Sequence, residues 1–108
     1  MKTELFIGGE WRDGSDAERI SVLNPATGTE ITTVAAGTPE DATAAVEAAS
    51  IAQNGWAATS PRERSEVLRN CWQTLVDHTD ELGALITLEH GKPLPDAKGE
   101  IAYAAEFF

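Results

Sequence analysis

The sequence predicts an α/β chain in which two β-hairpin units come first and three to four helices follow. Three observations carry that expectation. Short β-prone runs broken by Gly and Pro turns fill residues 1–37. Helix-start signatures stand at Thr38-Pro39 and Ser60-Pro61. Apolar residues then recur at three- and four-residue spacing through residues 38–108.

Glu4–Ile7 is a short apolar-rich run, Gly8-Gly9 a hairpin dipeptide, and Glu10–Arg12 the return run carrying Trp11. Asp13-Gly14-Ser15-Asp16 is a second break. Arg19–Leu23 sets Ile20 and Val22 against Ser21 and Leu23 on alternate faces, which is strand spacing. Asn24-Pro25-Ala26-Thr27-Gly28 is a compact turn: Pro fixes φ, Asn bonds its own backbone and Gly accepts positive φ. Glu30–Ala36 is the strand that follows.

The character changes at Gly37. Thr38-Pro39-Glu40-Asp41 opens a helix, with a hydroxyl cap, Pro in the first turn and acids at the positive end of the dipole. Its apolar stripe is Ala42, Ala45, Val46 and Ala49, small enough for close approach to a neighbour, and Asn54-Gly55 is expected to stop it. Ser60-Pro61-Arg62-Glu63 is a capping box. Behind it Val67, Leu68, Cys71, Trp72, Leu75 and Val76 cover one half of a helical wheel, and Glu66, Arg69, Asn70, Gln73 and Asp77 cover the other. His78-Thr79 caps a third helix carrying Leu82, Leu85, Ile86 and Leu88, closed by Gly91 and Pro93. A fourth starts near Pro95-Asp96 and places Ala97, Ile101, Ala104, Ala105 and Phe108 on one face. It lacks the usual Gly, Asn or basic ending, so the chain reads as one cut inside a helix.

Composition narrows the function classes. Acidic residues outnumber basic ones 18 to 8, a formal charge of −10, which repels nucleic acid and anionic membranes. One cysteine forbids an internal disulfide and fits a reducing, cytoplasmic setting. There is no dinucleotide-binding glycine motif, phosphate-loop lysine, paired-cysteine zinc site or serine nucleophile elbow.

The chemistry-bearing residues that remain mostly read as structural. Cys71 lies on an apolar helix face, where a thiol is buried and inert. His78 with Asp77, Asp80 and Glu81 reads as a solvated helix junction rather than a metal cluster. Ser60 is a cap and not an attachment point for a carrier protein's prosthetic arm. Glu89 is different. His90 and Lys92 complement the negative end of their helix, whereas an acid there does not, so Glu89 calls for a partner cation or a buried hydrogen bond.

Taken in order, Phe6-Ile7-Gly8-Gly9-Glu10-Trp11, Asn24-Pro25-Ala26-Thr27-Gly28, Trp56 ahead of Ser60-Pro61-Arg62-Glu63-Arg64, and Leu88-Glu89-His90-Gly91-Lys92-Pro93 resemble the N-terminal region of the aldehyde dehydrogenase superfamily. The run from Gly91 to Ala105 looks closest to its succinate-semialdehyde dehydrogenase branch. The resemblance implies an aldehyde dehydrogenase-like fold in which residues 1–108 are an incomplete N-terminal part of the cofactor-binding domain, strands and turns over 1–37 and helices over 38–108. It implies NAD- or NADP-dependent oxidation of a small aldehyde, such as succinate semialdehyde, in a homodimer or homotetramer. The family's cysteine nucleophile, general-base glutamate, oxyanion asparagine and phosphate-binding segment have no counterpart in this chain, so no catalytic or cofactor-binding residue is assigned to it and the chain alone is expected to be inactive. The catalytic and oligomerisation segments are likewise absent. The resemblance further implies a monovalent cation held by the carboxylate of Glu89 and the carbonyl of Leu23, and a substrate entrance near the Pro95–Phe108 helix. The competing reading is a stand-alone acidic interaction module that docks through its C-terminal aromatics.

Overall fold

A computed structural model describes residues 2–108 as two compact units: a hairpin unit of residues up to Val22 plus Glu30–Ala58, and a helical unit of Leu23–Thr29 plus Thr59–Phe108. The element order is β1 (Leu5–Ile7), β2 (Glu10–Arg12), β3 (Arg19–Leu23), β4 (Glu30–Ala35), α1 (Pro39–Ala58), α2 (Pro61–Asp77), α3 (Thr79–His90) and α4 (Leu94–Ala105). Two small antiparallel hairpins followed by four helices match the expected fold class.

In the hairpin unit, β1 and β2 pair antiparallel with Phe6 opposite Trp11. Gly8 and Gly9 both take positive φ, 64° and 90°, which a two-residue hairpin loop with the strands' own twist requires. The Phe6 and Trp11 rings lie 4.9 Å apart, and both stay largely exposed. β3 and β4 form the second sheet. Arg19 stitches its base: its guanidinium donates to Thr33 Oγ1 at 2.9 Å, to the Thr33 carbonyl at 3.0 Å, to Thr3 Oγ1 at 2.9 Å and to Asp13 Oδ1 at 2.5 Å.

Helix α1 departs from expectation twice. It runs through Asn54-Gly55 to Ala58, because a lone glycine costs a helix interior only about 1 kcal/mol and nothing there clashes with continuing the ladder. Its buried residue is Asp41, while Ala42, Ala45, Val46 and Ala49 of the expected apolar stripe are exposed. An alanine-rich helix gives little periodic contrast, and the polar anchor at Asp41 sets its rotation instead.

In the helical unit, α2 starts with the full capping box: Glu63 N–H donates to Ser60 Oγ at 3.3 Å and Ser60 N–H donates to Glu63 Oε2 at 3.0 Å. These bonds from Ser60 hold the Glu63 carboxyl below the usual carboxylate range. The amphipathic face of α2 is present, with Cys71, Trp72 and Leu75 half-buried, but Val67, Leu68 and Val76 remain exposed. His78 ends α2 and precedes α3, without a side-chain cap bond to α3. Thr79 does not cap α3 either; its hydroxyl donates back into α2, to the Val76 carbonyl at 2.8 Å. The expected cap at His78-Thr79 is therefore a junction held from the preceding helix.

Helix α4 packs chiefly on α3 and secondarily on α2. Ala97, Ile101 and Ala105 are its buried face, at 0%, 8% and 1% exposure. Gly83 on α3 sits so close to α4 that a Cβ there would fall 3.4 Å from the Lys98 backbone nitrogen. Ala104 and Phe108, placed on the same face by spacing, are exposed. The helix starts at Leu94, one residue before the expected Pro95, and past Ala105 the Phe107 and Phe108 N–H groups donate to the Ala104 and Ala105 carbonyls at 3.3 and 3.1 Å.

Candidate cation site and the buried carboxylate

The two residues implicated in cation binding lie on segments that the helical unit brings together. Leu23 ends β3, and its carbonyl precedes the Asn24–Gly28 turn. That turn is built as its residues dictate: Ala26 N–H donates to Asn24 Oδ1 at 2.9 Å, Gly28 N–H to the Asn24 carbonyl at 2.8 Å, and Gly28 sits at φ 71°. Glu89 is in the last turn of α3, half-buried. Gly91 caps that helix at φ 72°, its N–H donating to the Thr87 carbonyl at 2.9 Å. A Cβ on Gly91 would stand 3.2 Å from Pro25 Cγ, so the turn and the helix end abut.

The electrostatics leave Glu89 available. Lys92 pairs with Glu100 on α4 rather than with Glu89, and His90 is exposed. Among the described residues the Glu89 carboxylate makes no hydrogen bond or ion pair. A carboxylate and a backbone carbonyl are hard oxygen donors, the chemistry that suits a hard cation. The described residues contain no cluster of three or more His, Cys, Asp or Glu able to hold a metal ion. The acids around His78 disperse to separate partners: Asp77 accepts from Gln73 at 2.9 Å, Asp80 pairs with Lys98 at 2.7 Å and Glu81 with His78 at 3.1 Å. Cys71 is half-buried and lines an open apolar groove with Val67, Thr74, Leu75 and Phe108.

One constellation is only half legible in the sequence, which shows the Thr38 cap but not the upstream partners of Asp41. Asp41, 2% exposed, accepts five hydrogen bonds. Ser15 N–H and Oγ reach it at 2.9 and 2.7 Å, Thr38 N–H and Oγ1 at 3.0 Å each, and Arg12 Nη2 at 3.0 Å. Asp41 N–H returns a bond to Thr38 Oγ1 at 3.2 Å, which closes a capping box with aspartate in the glutamate's place. The backbone N–H groups of Ser15 and Thr38, then the Ser15 hydroxyl, hold the Asp41 carboxyl far below the usual carboxylate range. With five bonds accepted and 2% exposure the carboxylate is closed to a ligand, so the arrangement is a structural pin. Gly14 belongs to it: a Cβ there would lie 2.0 Å from the Ala36 carbonyl oxygen. On α3, Thr87 Oγ1 is buried without a hydrogen-bond partner among the described residues.

The aldehyde dehydrogenase family model matches residues 11–108. The NADP-dependent succinate-semialdehyde dehydrogenase of Escherichia coli is 42% identical over 99% of this chain, which covers 22% of that enzyme. The glutarate-semialdehyde dehydrogenase of Pseudomonas putida is 43% identical over 99% of this chain, again 22% of the relative. The crystal structure of an E. coli NADP-dependent enzyme superposes with a TM-score of 0.96 at 42% identity, over 98% of this chain and 22% of that one. This chain thus spans about a fifth of the length of the relatives it matches. Among the described residues no helix is long and apolar enough to cross a membrane. With a family match over nearly all its length and a superposition this close, the chain belongs to the aldehyde dehydrogenase family.

Proposed function

We propose that this chain is the N-terminal part of the cofactor-binding domain of an NAD(P)-dependent aldehyde dehydrogenase, with strands and turns over residues 1–37 and helices over 38–108. The observation that carries the reading is the match along 99% of the chain to two semialdehyde dehydrogenases at 42% and 43% identity. Succinate and glutarate semialdehyde differ by one methylene, which a pocket discriminates by only about 1–3 kcal/mol, so the shared class is a short semialdehyde carboxylate. The chemistry itself belongs to residues outside 1–108: a cysteine thiolate attacks the aldehyde, hydride leaves to the nicotinamide, and a glutamate-activated water hydrolyses the thioester. The working enzyme is a cytoplasmic homodimer or homotetramer that binds neither nucleic acid nor membrane; the −10 charge supports the last point.

The test is absorbance of reduced nicotinamide when the polypeptide extended through its reading frame meets succinate or glutarate semialdehyde with NAD or NADP. Oxidation of succinate semialdehyde is expected from the extended polypeptide and none from residues 1–108 alone. Failure of the extended polypeptide to oxidise any short semialdehyde overturns the proposal.

The Glu89 carboxylate and the Leu23 carbonyl are further proposed to hold a monovalent cation, a reading supported by the unpaired, half-buried acid and by the adjoining Asn24–Gly28 turn. Potassium should then raise the melting temperature more than tetramethylammonium at equal ionic strength, because it binds only the folded state. Glu89→Gln should abolish that difference. An equal potassium effect in the variant rules the assignment out.

A further inference from the structure

We draw no further inference here: the strongest candidate, the open apolar groove on α2 lined by Val67, Cys71, Thr74, Leu75 and Phe108, is an unpartnered helix face, and nothing in the structure shows what covers it.

Discussion

Around Asp41 the hairpin unit buries a carboxylate ringed by donors, whereas the α3–α4 interface of the helical unit buries Ala97, Ile101 and Ala105 against Gly83. The first arrangement is directional. Each donor must arrive at its own angle, and removal of one leaves the buried Asp41 carboxylate short of a partner. The second is volumetric: small side chains admit close helix approach, and any added or deleted atom is felt as a clash or a cavity. Two units of one chain therefore respond to different insults, and amide hydrogen exchange resolved along the chain distinguishes them.

The largest effect is expected from Gly14→Ala, whose Cβ would meet a backbone carbonyl at 2.0 Å with no flexible side chain to move aside. It should destabilise by about 4 kcal/mol, with chemical unfolding as the measure and lost exchange protection concentrated over residues 10–22 and 30–41. Ile101→Ala comes next, at about 3 kcal/mol, with the loss concentrated in α3 and α4. Loss spread evenly over both units in either variant would break the contrast.

Acid sharpens it. Because the folded Asp41 carboxyl titrates below its unfolded value, its stabilisation is fully present above pH ~4 and drains away as pH falls through the folded value. The hairpin unit should therefore open first in acid. Asp41→Asn should lower the melting temperature by several degrees near neutrality and flatten that acid limb, while α3 and α4 keep their protection. An unchanged acid limb in this variant would remove Asp41 as its cause. Ser60→Ala is the smallest, about 1 kcal/mol for the cap, read as faster exchange in the first turn of α2 alone.

What the sequence disclosed follows from range. The Gly8-Gly9 loop and the Ser60–Glu63 box are settled by residues within four positions, and both stand where spacing puts them. Asp41 looks from sequence like an acid answering a helix dipole, because its decisive partners, Arg12 and Ser15, lie 29 and 26 residues upstream. The rotation of α1 was illegible for the same reason: its alanines offer no preferred side until the carboxylate is anchored. On α4, spacing selects Ala97, Ile101 and Ala105 correctly but cannot separate them from Ala104 and Phe108, since nothing local says which edge of the stripe turns toward the neighbouring helices. Glu89 stood out locally, as an acid at the wrong end of a helix. Leu23, its proposed partner, did not, because a backbone carbonyl leaves no trace in residue type; only the family resemblance pointed to it.

The contact between Pro25 and Gly91 has a kinetic consequence. Turn and helix end each assemble from neighbours in sequence, fast steps on the microsecond scale or below. Their meeting instead closes a loop spanning most of the chain, and that entropy is surrendered before any contact repays it. During synthesis the Asn24–Gly28 turn leaves the ribosome long before its partner exists. The bonds that define it, Ala26 N–H to Asn24 Oδ1 and Gly28 N–H to the Asn24 carbonyl, draw on nothing from α3.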